Sequence, residues 1–413
     1  MSPVRRDVSL PFLGAVQLVA LSADRLKQFS LVAMVGILAP GSSVDLFKLT
    51  LFSQVPVLLL TPLAGVMIDR WNKSLTILVA CVARALILLA VPALFARSPA
   101  VDTIFFAACA LALFDLLFAP ARSALLPELV RPERLLHANA YFWTLGVVGT
   151  LIGFAGGGWL FDLVSWRASF RTDALLYLIA GALMVPLALS HVASSAPVPT
   201  RASAREAVAF LRRSARDAVA LMRESRDLRT SLLTQTALFA VGGILSIVAI
   251  ARIQEVAPAN SARFLSQVGA SFIGGLVVGA FVALPFRDSP LPSRTVSVGT
   301  LISGVAIAGL GRSSSFAPMC VWAALLGASI SPIFVVTETL MQHASPREFT
   351  GRVFAARESL IKTAYIVAAA IATALEAALG KTNLLVGMGL FLALLGVILE
   401  RTHWLRTEKS EKP

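Results

Sequence analysis

Runs of apolar residues, each about as long as a helix needs to cross a hydrocarbon core, recur along the whole chain between short polar breaks. They fall near residues 11–38, 46–69, 75–96, 102–120, 139–162 and 173–192, and again near 231–251, 266–286, 295–311, 316–339, 352–378 and 383–400. The pattern predicts twelve transmembrane helices, with charge interrupting the first, second and eleventh. The connector from His191 to Ser231 opens with a Ser-, Ala- and Pro-rich stretch, Ser194–Ser203. Beyond it, Ala207, Phe210, Leu211, Ala218, Leu221 and Met222 recur at helical spacing among arginines, which predicts an amphipathic helix lying on the membrane surface. The expected division is an N-terminal six-helix domain over 1–193, a linker over 194–230, a C-terminal six-helix domain over 231–403 and a tail over 404–413. Arg5 and Arg6 lead into the first apolar run, which reads as an anchor kept in the chain.

Composition narrows the class. The chain has 413 residues, 57% hydrophobic and 14% charged, against roughly 45–50% apolar and about 25% charged in soluble domains. A water-soluble enzyme is excluded. The net charge of +13 would suggest nucleic acid in a soluble protein. Here the basic residues cluster between apolar runs, and alternate crossings place roughly three times as many on one side as on the other. That asymmetry predicts an even number of crossings, both termini in the cytoplasm and a cell (inner) membrane, with no nucleic-acid partner. Cys81, Cys109 and Cys320 each lie inside an apolar run at no ligand spacing. His137, His191, His343 and His403 stand at run ends without an HExxH pattern, and no Gly-Lys-Ser/Thr follows the glycines. No metal or cofactor is expected.

Charge inside a span costs roughly 2.5–3.5 kcal/mol on insertion scales, so it marks a pathway or a pair. In the first run Gln17, Asp24 and Gln28 share a helical face, flanked by Arg25 and Lys27. Asp24 could take up a proton or hold a cationic group, or form a self-neutralising cluster with Arg25 and Lys27. Asp115 precedes Arg122 by seven residues in the fourth run, and Arg84 should lie at similar depth in the third; a pair with either, or a proton relay, fits. Glu358, Lys362 and Tyr365 form a stripe in the eleventh run, where Glu before Lys at i, i+4 favours an intrahelical ion pair. Glu338 reads as a gate residue at the end of the tenth run, and Asn139 and Gln235 as polar groups able to bond across helices.

The segment Gly65-Val66-Met67-Ile68-Asp69-Arg70-Trp71-Asn72-Lys73 resembles the loop Gly-x-x-x-Asp-Arg-x-x-Arg/Lys of the major facilitator superfamily, and it sits between spans two and three as there. The resemblance implies that Gly65 permits close helix approach and that Asp69 latches onto the start of the eleventh helix near Gly351, while Arg70 and Lys73 hold the loop at the cytoplasmic surface. The stretch from Phe118 through Arg122, Pro127 and Glu128 to Asn139 resembles the fourth-to-fifth connection of the branch holding macrolide and siderophore exporters, with lysophospholipid transporters close by. Glu338 to Arg352 echoes that branch's tenth-to-eleventh connection, and Ser22 to Gln28 resembles the lysophospholipid group. Gly153, Gly156, Gly157 and Gly158, and Gly274, Gly275 and Gly279, let backbones approach closely; the resemblance implies packing across a domain interface, and plain helix packing suffices for most of them.

These expectations describe an all-α integral membrane protein of twelve helices in two six-helix domains, working by alternating access. It would be a monomeric proton-coupled exporter of a small organic or amphipathic compound, not an enzyme. A lysophospholipid flippase and a non-transporting membrane scaffold are the alternatives; protons and membrane lipids are the expected partners.

Overall fold

Every apolar run folds as helix in the computed structural model, which describes residues 3–97, 99–130, 135–192, 225–256, 261–283, 292–344 and 350–410. The twelve helices of the described residues are α1 (Pro3–Leu38), α2 (Ser43–Arg70), α3 (Lys73–Arg97), α4 (Val101–Leu129), α5 (Leu135–Val164), α6 (Trp166–Val192), α7 (Arg226–Val256), α8 (Ser261–Ala283), α9 (Pro292–Arg312), α10 (Phe316–Ala344), α11 (Thr350–Leu379) and α12 (Lys381–Ser410). Local chemistry sets their ends. Before α2, Ser42 accepts the Asp45 N–H at 3.2 Å and donates its hydroxyl to the Asp45 carboxylate at 2.7 Å, a variant of the capping box. Asn72 caps α3 by accepting the Leu75 N–H at 3.1 Å. Gly380, at φ +75°, ends α11 in the left-handed conformation that glycine adopts without strain.

Eleven of these helices carry, among the described residues, a stretch long and apolar enough to cross a membrane. The exception is α1, whose middle holds Asp24, Arg25 and Lys27. Its passage through lipid therefore depends on what neutralises those charges.

The chain divides into two compact units, residues Met1–Ala39 with Lys48–Leu211, and residues Pro40–Phe47 with Arg212–Pro413. In the first unit α1 packs on α5 and α6, and α3 lies against both α4 and α6. Its core includes Leu13, Val16, Ile77, Leu125 and Met184, all buried, while Leu86, Phe106, Leu163 and Leu189 stand exposed as lipid-facing side chains do. In the second unit α9 packs on α12, α8 on α10, and α7 on α11.

Small residues set the closest of these contacts. A Cβ at Gly153 of α5 would stand 2.7 Å from the Ser22 carbonyl oxygen of α1, and one at Gly275 of α8 would collide with the Ala324 carbonyl oxygen of α10. Gly279 meets Ala328 in the same way, whereas Gly274 has nothing within 4 Å. Gly153, Gly275 and Gly279 thus press on partners inside their own unit, where backbone must approach backbone, as plain helix packing requires.

Candidate functional site

Four charged side chains meet inside the first unit. Lys27 of α1 places its Nζ 2.6 Å from Asp115 Oδ2 of α4 and 3.4 Å from Asp24 Oδ1 on its own helix. Arg84 of α3 places one terminal nitrogen 3.1 Å from Asp24 Oδ1 and 3.2 Å from Asp115 Oδ1. Two carboxylates and two cations thus share their partners, and the quartet is neutral. Arg84 has no exposed surface, so an unmatched charge there would be costly. Its Nε donates to the Ala80 carbonyl at 3.0 Å, and its guanidinium lies 4.4 Å from the Tyr177 ring centroid and 4.8 Å from that of Phe118. The Tyr177 hydroxyl of α6 donates to Asp24 Oδ1. One polar knot therefore ties α1, α3, α4 and α6 together.

A second buried acid lies beside it. Asp173, one turn before Tyr177 on α6, is fully buried. Its Oδ2 accepts the Ser30 hydroxyl of α1 at 2.7 Å, and Ser30 in turn shares a hydrogen bond with Ser169 at 2.9 Å. Oδ1 has no hydrogen-bond partner among the described residues.

The other predicted residues of this unit are placed as follows. Arg122 donates to the side-chain oxygen of buried Gln17 at 2.6 Å, so it does not pair with Asp115. Arg25 does not pair with Asp24 either: it donates to Gln28 at 3.1 Å and lies over the Phe154 ring at 5.7 Å. Asp24 is served instead by Lys27 from the next helical turn and by Arg84, whose guanidinium reaches both acids from α3. Lys73 and Glu128 form a pair at 2.6 Å between the start of α3 and the end of α4.

In the second unit Arg357 of α11 is buried and bridges two other helices. It sits 3.2 Å from Glu338 Oε2 of α10, and its Nε donates to the Gln235 side-chain oxygen of α7. Gln235 donates its amide to Glu338 at 3.1 Å, closing a triangle. The expected Glu358–Lys362 pair does not form. Glu358 pairs with the adjacent Arg357 at 3.2 Å, and Lys362 makes no ion pair among the described residues. An i, i+4 pair is worth only about 0.2–0.5 kcal/mol, too little to draw Glu358 from a guanidinium already fixed by Glu338 and Gln235. Tyr365 shares a hydrogen bond with Ser246 and packs where α11 meets Gly242 and Gly243 of α7.

Gly65, Asp69 and Arg70 end α2, Asn139 lies in α5, and Gly351 and Arg352 open α11; the side-chain positions of all six lie outside the described residues. Tyr177, Asp173 and Arg357 were not anticipated. Arg357 reads from sequence as one more basic residue at a cytoplasmic boundary. Asp173 stands at the first position of the expected sixth span, where a carboxylate looks like a boundary residue. A signal was available: Asp173 and Tyr177 are spaced i, i+4 and fall on one helical face.

Comparisons with known proteins agree with this architecture. The pattern of the Major Facilitator Superfamily matches residues 29–286. An uncharacterized MFS-type transporter, YfiS of Bacillus subtilis (strain 168), is 22% identical over 407 residues, spanning 95% of this chain and 93% of its own. A POT family transporter crystallised with 5-aminolevulinic acid has a similar fold, with a TM-score of 0.71, 13% identity and 95% of each chain covered. So does a bacterial homologue of the iron transporter ferroportin in its inward-facing state, with a TM-score of 0.69, 16% identity, and 97% of this chain and 99% of that one covered.

Proposed function

This chain belongs to the Major Facilitator Superfamily and is a multi-pass membrane transporter; from that premise we propose that it is a proton-coupled exporter of a small organic or amphipathic compound. It works by alternating access as a monomer of the inner membrane, with both termini in the cytoplasm. Residues 1–193 and 231–403 form its two moving domains. The observation that carries the reading is the neutral quartet of Asp24, Lys27, Arg84 and Asp115 inside the bundle.

The chemistry follows from shared partners. Each acid faces both cations, so a proton arriving on one carboxylate loosens Lys27 and Arg84 together and alters contacts on four helices at once. Proton uptake is thereby linked to a change in how α1, α3, α4 and α6 are held. A proton falling through 100 mV releases about 2.3 kcal/mol, enough to drive tens-fold accumulation. Gln17, Arg25 and Gln28 extend the polar path along α1, and Glu358, Lys362 and Tyr365 are its counterparts on α11. Asn139 adds a polar group on α5. Lys73 with Glu128, and Glu338 with Arg357, brace helix ends near the cytoplasm.

The test is transport in everted membrane vesicles with a pH indicator, offering a macrolide, a hydroxamate siderophore and a lysophosphatidylcholine in turn. Substrate-evoked proton movement in wild type and its loss in Asp24→Asn are expected. Movement unchanged in Asp24→Asn would remove Asp24 from coupling. Lysolipid translocation that ignores the proton gradient would make the protein a flippase instead.

A further inference from the structure

Asp173 is a fully buried carboxyl group that the quartet does not use. No cation among the described residues lies within ion-pair distance of it, and its single polar contact is the Ser30 hydroxyl on Oδ2. An isolated ionised carboxylate is among the costliest groups to bury, and it survives burial only by pairing or by becoming neutral. Oδ1, enclosed and without a partner among the described residues, is the oxygen free to carry a hydrogen.

The surroundings limit what else could neutralise it. From α1, the charged group that acts on Asp173 is Lys27, three residues before Ser30 on the same helical face. In the present state its ammonium is engaged by Asp115 at 2.6 Å. From α3, Arg84 meets α6 one turn further on, against Tyr177, Cys81 meets it a turn beyond that at Gly181, and after Arg84 that helix has no charged residue until Arg97. From α5, the described titratable side chain is Tyr141, which packs against Gly14, about 24 Å along α1 from Ser30 at 1.5 Å per residue. On α6 itself Arg171 is exposed and Tyr177 is turned to Asp24. A sodium ion would need more oxygens than Ser30 and Ser169 offer, and those two hydroxyls are already bonded at 2.9 Å.

We propose that Asp173 holds the exchangeable proton of the first unit and that Lys27 is its alternating partner. This rests on the proton-coupled reading above. In the state described here Lys27 pairs with Asp115 while Asp173 is neutral. When a proton reaches Asp115, that carboxyl no longer holds the ammonium, and Lys27 turns along its face of α1 toward Ser30 and Asp173. The Asp173 proton leaves as the cation arrives. One proton is taken up and one is given off, the charge of the group stays constant, and the return of Lys27 resets it.

The test uses the full-length protein reconstituted in liposomes and followed by infrared difference spectroscopy as pH is raised. Wild type is expected to lose the carbonyl stretch of a protonated carboxyl group. Asp173→Asn should lack that band throughout and Asp24→Asn should retain it, whereas Asp115→Asn, which frees Lys27 as a protonated Asp115 would, should lose it at lower pH than wild type. Asp173→Glu should restore the band with a displaced midpoint, which separates loss of the acid from loss of the fold. A band that persists in Asp173→Asn overturns the proposal, as does a wild-type titration that follows sodium at fixed pH. In everted vesicles with the same three compounds, substrate-evoked proton movement should vanish in Asp173→Asn. If it survives there, Asp173 is excluded while the coupled reading stands. Wild-type vesicles that move no protons would count against the coupled reading, and the infrared band then decides whether Asp173 is protonated.

Discussion

Arg84 is wholly enclosed, yet each part of its guanidinium has a partner: a backbone carbonyl on Nε, two carboxylates on one terminal nitrogen and an aromatic ring against the plane. Arg84→Met is expected to leave Asp24 and Asp115 with one cation between them. Breaking a buried pair costs about 3–5 kcal/mol, and the lower end applies because both acids are only partly enclosed and Lys27 remains beside them. The expected reading is a lowered thermal midpoint in detergent, followed by tryptophan fluorescence. The double variant Arg84→Met with Asp115→Asn should recover part of the loss, because charge balance returns. In the second unit Arg357→Lys should destabilise too, since a single ammonium cannot match the planar fork that serves Gln235, Glu338 and Glu358 together. At this scale the sequence was partly readable. Asp24, Lys27, Arg84 and Asp115 stand out because each is costly in an apolar run. Tyr177 and Asp173 did not, because their partners are 153 and 143 positions away, and spacing within one helix says nothing about which neighbour it will face.

Helix pairs in this protein are set by where backbone can touch backbone. Gly275 presses on Ala324 of the neighbouring helix while Gly274, the preceding residue, faces open space. Gly275→Ala should therefore cost about 1–3 kcal/mol by overpacking and reduce the monodisperse fraction on gel filtration, whereas Gly274→Ala should elute as wild type. Equal behaviour of the two would contradict the close α8–α10 contact. The number and order of helices were legible from apolar run length alone; their ends, set at Ser42, Asn72 and Gly380, were not read. The glycines were visible as a group, but which of them carry a contact depends on rotation about each helix axis. A rotation of about 100° per residue separates Gly274 from Gly275, and only the packed partner reveals it.

For the whole molecule, the basic residues between spans should fix orientation. A green fluorescent protein fused to the C-terminus is expected to fluoresce and an alkaline phosphatase fused there to be inactive; the reverse would invert the topology. The long connector was legible as the break between two sets of six runs, while residues 193–224, most of its amphipathic part, lie outside the described residues. The neutrality of the quartet has an electrical consequence at this scale. Moving one net charge across 100 mV takes about 2.3 kcal/mol, so a bundle with an unbalanced internal charge would be held at one face of a polarised membrane. With Asp24 and Asp115 offset by Lys27 and Arg84, the quartet can be displaced within the field without electrical work. Any current during turnover should then equal the charge of the entering proton less that of the departing cargo, and a voltage step applied without substrate should evoke no transient from this part of the protein.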